Sequence, residues 1–74
     1  MNKERRKQIA EAINLIEQAK DILEIVRDDE QEAFDNMPEG LQESERGEEM
    51  EENIDKMEEM QDALGDIIDD LEEM

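Results

Sequence analysis

Carboxylates are the one reactive group this chain holds in quantity: 26 Asp and Glu stand against 8 Lys and Arg. Two runs, Asp28-Asp29-Glu30 and Asp66 with Asp69-Asp70, have the composition of a calcium site. Neither has the alternating oxygen ligands, central glycine and terminal bidentate glutamate of an EF-hand loop. A di-metal helical bundle adds Glu-x-x-His pairs, and the chain has no His. It has no Cys either, so zinc and iron–sulfur sites lose their usual ligands. No metal and no cofactor are expected. Nucleophile–base pairs built on His, Cys or Thr are equally out of reach. Carboxylate-only acid–base chemistry needs a pocket that shifts a pKa, and paired helices offer none. No catalytic residue is expected, and the chain reads as a binding protein rather than an enzyme.

Ser44 is the only serine. Acyl carrier proteins are also acidic, helical and about this long, but their attachment serine lies in an Asp-Ser-Leu context. Ser44 lies in Glu-Ser-Glu and reads as a helix cap. A net charge of −18 disfavours nucleic acid as a direct ligand, since phosphate contact depends on cations. The acids themselves are the candidate surface. From Glu45 to Glu73 there are 14 carboxylates, about one per 3 Å of helix at a rise of about 1.5 Å per residue. One strand of duplex DNA carries a phosphate about every 3.4 Å. Glu48, Glu51, Glu52, Asp55, Glu58, Glu59 and Asp62 are therefore the candidate partner-binding face. It suits a protein with a basic surface that otherwise holds nucleic acid. The competing reading is a solvated face that only keeps a helical protein dispersed.

Helices must position these acids. In 74 residues, 46% of them charged and one aromatic, composition alone permits disorder. Periodicity favours helix. Apolar or small residues recur at Ile9, Ala12, Ile16, Ala19, Leu23, Val26 and Ala33, interrupted by Glu30. A second series runs Met50, Ile54, Met57, Gln61, Leu64, Ile68 and Leu71. Spacings of three and four make each an a/d heptad seam. The reading is an all-α antiparallel helical hairpin, coiled-coil-like, in a single unit spanning residues 1–74. Its helices cover about 3–34 and 45–73, with a connector at about 35–44. Asn2 and Ser44 serve as N-caps. Asn36 ends the first helix in a left-handed conformation, Pro38 bars continuation, Gly40 supplies the turn, and residues 38–42 form one short helical turn. Gly47 stands where a capping-box Glu is expected.

Pairing the seams gives layers Ile9–Leu71, Ala12–Ile68, Ile16–Leu64, Ala19–Gln61, Leu23–Met57, Val26–Ile54, Glu30–Met50 and Ala33–Gly47. Residues 1–27 carry a net +1 and residues 28–74 a net −19. Folding back sets Lys3, Arg5, Arg6 and Lys7 beside Asp69, Asp70, Glu72 and Glu73 as a cross-helix clasp. Hydrophobes left over from the seam include Ile13, Leu15, Ile22 and Ile25, with Met60, Ile67 and Met74. A domain this small has little core of its own, so Ile13, Leu15, Ile22, Met60 and Ile67 are assigned to an oligomer interface. Two hairpins then form a homodimeric four-helix bundle. Gly65 inside the second helix reads either as close approach or as simple tolerance.

The segment EQEAFDNMPEGLQESERGE, Glu30 to Glu48, resembles a motif in small uncharacterised acidic proteins of bacteriophages and prophages. Those carry EQE-aromatic-DN-(M/L)-PE-x-LQ-x-SERGE between two acidic helices, and the motif spans about a quarter of this chain. The resemblance implies a phage or prophage setting, where short acidic proteins often inhibit host enzymes or defence systems, some as DNA mimics. It transfers no catalytic residue. A connector alone does not require Phe34, Asn36, Pro38, Leu41, Gln42 and Arg46 together, so these form a candidate tip. There Phe34 and Leu41 pack over the end while Arg46 reaches Glu30 or Asp35. No apolar segment follows the basic start as an export signal does, and no run nears the roughly 20 apolar residues of a bilayer span. The expected place is the cytoplasm, of the host cell if phage-encoded, with no membrane partner.

Overall fold

A computed structural model describes residues 1–74. It is all helical: α1 (Lys3–Asp35), α2 (Glu39–Gln42) and α3 (Glu45–Glu72). Asn2 caps α1, its side-chain oxygen accepting from the Arg5 N–H at 2.8 Å. The long helices lie side by side. Ile13 shares a hollow with Leu71, Lys20 lies over Gly65, Arg27 reaches Glu58, and Ala33 shares a hollow with Met50. Residue numbers thus rise along α1 as they fall along α3. The result is a rod of 58 × 15 × 12 Å.

The seam on α3 is the expected one: Gly47, Ile54, Gln61 and Ile68 are buried, and Met50, Met57, Leu64 and Leu71 half-buried. On α1 it differs. The half-buried residues are Ile9, Ala12, Ile13, Ile16, Lys20, Leu23, Arg27, Glu30 and Phe34. Ala19, Val26 and Ala33 are exposed. Every second seam position is therefore one residue later than the expected series, with Ile13, Lys20, Arg27 and Phe34 facing α3. The register moves as well, by roughly one helical turn. Lys20 meets Gly65 and Arg27 meets Glu58, where Ala19–Gln61 and Val26–Ile54 were expected. This shift accounts for the missing clasp. Asp69 and Glu72 line a hollow with Glu17, Lys20, Asp21 and Glu24 of α1, and Arg6 shares another with Glu72 without pairing to it. Lys3, Arg5, Arg6 and Lys7 make no ion pair, and those present join Arg27 to Asp28 and Glu58, and Lys56 to Glu52.

The connector also departs in detail. Asn36 caps α1 in the right-handed region at φ −82°, and no residue has positive φ. Gly40 lies inside α2 with nothing near it, so its conformational freedom is unused. The break comes from Met37-Pro38, because the residue before proline is driven from helical geometry. Pro38 is extended at ψ 145° and starts the short turn α2. That turn lies on the start of α3, where Gly47 is buried against it.

Candidate functional site

All seven acids of the expected face, Glu48, Glu51, Glu52, Asp55, Glu58, Glu59 and Asp62, are exposed. They do not form one row. Glu51, Asp55, Glu58 and Asp62 border α1, where they line hollows with Gln31 and Phe34 or with Lys20, Glu24 and Arg27. Glu48, three residues before Glu51, heads the same stripe, whereas Glu52 and Glu59 lie farther round the helix by the 3.6-residue period. The same border continues to Asp69 and Glu72, opposite Glu17, Asp21 and Glu24 of α1. The surface is thus two facing acid stripes, one on each helix. On α1 the stripe reads Glu17, Asp21, Glu24, Asp28, Gln31 and Asp35; on α3 it reads Glu48, Glu51, Asp55, Glu58, Asp62, Asp69 and Glu72. Spacings of three and four mark both in the sequence, with Gly65 holding one α3 position. The α1 half was missed because the basic residues near the start of the chain bring the net charge of residues 1–27 to +1.

Lys20 and Arg27 lie between the stripes at seam positions. Their aliphatic stems cover the apolar seam and their charged ends emerge among carboxylates. The Arg27 guanidinium lies 2.7 Å from Asp28 and 3.7 Å from Glu58. Its pKa is raised, first by the hydrogen bond to Asp28, against a smaller desolvation effect, with Asp28, Glu58 and Glu24 adding attraction. The group stays cationic at any working pH. Gly65 lies under Lys20: a Cβ there would lie 3.2 Å from the Lys20 Nζ. That contact is with the movable end of a side chain, so simple tolerance within the helix accounts for the glycine. No trio of acids converges enough to hold a metal ion. No helix is long and apolar enough to cross a membrane.

The tip residues divide. Gln42 donates its side-chain amide to the Phe34 carbonyl at 2.9 Å, tying the connector to the end of α1. Ser44 accepts from the Gly47 N–H at 3.3 Å and donates to the Leu41 carbonyl, so its hydroxyl is committed to capping. Phe34 is half-buried and shares a hollow with Ile54. Leu41 does not seal the end; it is 53% exposed. Arg46 pairs with neither Glu30 nor Asp35 and instead lines a hollow of about 330 Å³ with Ala33, Met37, Leu41, Ser44 and Met50. Asn36 and Pro38 are exposed. Of the expected interface residues, Leu15, Ile22, Met60 and Ile67 are exposed, whereas Ile13 turns half inward against Leu71.

No family model matches the chain, and no curated protein or solved structure matches it either. The functional reading rests on the chain's own surface.

Proposed function

We propose that this chain is a non-enzymatic helical hairpin, paired with a second copy in a four-helix bundle, that binds a host protein through its acid stripes. The partner is a protein whose basic surface otherwise holds nucleic acid, and occupancy by the hairpin inhibits it. The observation that carries the reading is the pair of carboxylate stripes along one side of both helices. Along each stripe the acids recur about every 5 Å, against about 3.4 Å between the phosphates of one DNA strand, and a fixed array of like charge accelerates encounter with an oppositely charged groove. The connector motif from Glu30 to Glu48 supports a phage or prophage origin and hence the host cytoplasm. Neither nucleic acid nor membrane is a partner in this reading.

The test is retention of host proteins on the immobilised chain at low and high salt. Bound protein is expected to elute as salt rises, and neutralising Glu51, Glu52, Asp55, Glu58, Glu59 and Asp62 together is expected to abolish capture. Capture that ignores salt and follows Phe34 or Leu41 contradicts the proposal. A second reading, an assembly module acting through its own oligomerisation or a scaffold contact, is favoured by the exposed Leu15, Ile22, Met60 and Ile67. It expects loss of function on changing Ile22 or Ile67 and no co-purifying host enzyme.

A further inference from the structure

Each long helix carries a further heptad stripe beside its seam, on the side opposite the acids. On α1 it runs Ala12, Leu15, Ala19, Ile22 and Val26 and ends at Asp29; on α3 it runs Met60, Ala63, Ile67 and Met74, with Asp70 at the position between the last two. The acid hollows contain residues of both helices, so the acid stripes share one side of the rod. The two apolar stripes consequently share the other. Leu15, Ile22, Val26, Met60, Ile67 and Met74 are each between 46% and 61% exposed there. A helix with two adjacent seams has two long neighbours to pack against, and each long helix here meets only one, the turn α2 lying over the start of α3 alone.

Three observations identify the missing neighbour as another copy. First, the chain buries only Ile54 and Ile68 among its hydrophobic side chains, so it lacks the core a stable domain needs. Second, its accessible surface is 5789 Å², whereas a compact monomer of this mass exposes about 4,700 Å². The excess, roughly 1,000 Å², is comparable to the ~800 Å² per partner of a standard interface. Third, two molecules of charge −18 can approach only where acids are sparse, and along these stripes the acids are confined to Asp29 and Asp70, near their ends. Large and small residues alternate along it, Leu15, Ala19 and Ile22 on one helix, Met60, Ala63 and Ile67 on the other, as interdigitation requires.

We infer that two copies pair face to face through these apolar stripes about a two-fold axis, leaving the acid stripes on opposite outer sides of the bundle. The inference rests on the proposed pairing but not on what the acids bind. It makes the assembly bivalent, with two equal acid faces pointing apart. It also makes self-association tighten with salt, as screening weakens repulsion between the copies, whereas capture of a basic partner loosens.

Sedimentation equilibrium with three variants tests it. The unaltered chain is expected at twice 8.7 kDa, with the dimer favoured by added salt. Ile22→Glu and Ile67→Glu are each expected to shift the mass toward the monomer, with or without loss of helix. Ile25→Glu adds the same charge at an equally exposed site on the outer edge of α1 and is expected to leave the dimer and its helicity intact. A dimer that survives Ile22→Glu and Ile67→Glu, or that Ile25→Glu dissolves equally, overturns the interface while sparing the four-helix reading. A helical 8.7 kDa species at every concentration overturns both. Failure to capture a basic protein touches neither.

Discussion

Gly47 has no room for a methyl group. A Cβ built there would overlap the Gln42 carbonyl oxygen and lie 2.7 Å from that of Leu41. Gly47→Ala is therefore expected to lift α2 off the start of α3 and lower stability by about 1–3 kcal/mol, as overpacking does; urea unfolding followed by circular dichroism measures it. Gly65 behaves oppositely. A Cβ there meets only the flexible end of Lys20, so Gly65→Ala is expected to stabilise by up to about 1 kcal/mol through helix propensity. Ser44→Ala removes the acceptor for the Gly47 N–H and is expected to cost about 1 kcal/mol in the same assay. The caps Asn2 and Ser44 are legible in the sequence because a cap is a local interaction. The role of Gly47 is not, because it depends on a connector folded back onto the helix that follows.

Each long helix presents side-by-side heptad stripes, and this explains both what was legible and what was not. Helix positions, connector length and the α3 seam follow from spacing, proline and cap residues. On α1, Ile9, Ile16, Leu23 and Glu30 fit either of two seams that differ by one residue at every other position. Counting apolar residues selects Ala12, Ala19, Val26 and Ala33. The fold selects Ile13, Lys20, Arg27 and Phe34 instead, because larger stems fill the gap between helices and the charged ends still reach the acid side. The seam makes a graded prediction. Ile54→Ala and Ile68→Ala are expected to cost about 2–4 kcal/mol each, since these are the buried hydrophobes. Ile13→Ala is expected to cost less, and Ala12→Ser almost nothing, by denaturant midpoint.

Across the whole molecule, charge and apolar surface are separated onto opposite sides of one rod. The overall charge of −18 conceals this arrangement, and so does the near-neutral first third of the sequence. The acid face extends onto α1 because Lys20 and Arg27, rather than Ala19 and Val26, face α3 and so bring Glu17, Asp21, Glu24 and Asp28 to the border. Replacing Arg27 with Gln is expected to weaken helix pairing by about 0–1 kcal/mol at low salt and by less at high salt, where the pair with Glu58 is screened. In the proposed reading, salt acts in opposite directions on self-pairing and on capture of a basic partner. The most direct test of the central claim is a competition. A basic host protein retained by the chain is loaded with labelled duplex DNA and titrated with the hairpin while fluorescence anisotropy is followed. Release of the duplex, at a midpoint that rises with salt and disappears in the variant with six neutralised acids, is the predicted result. A duplex that stays bound while the hairpin binds beside it contradicts the account, because the acid stripes would not then occupy the place of phosphate.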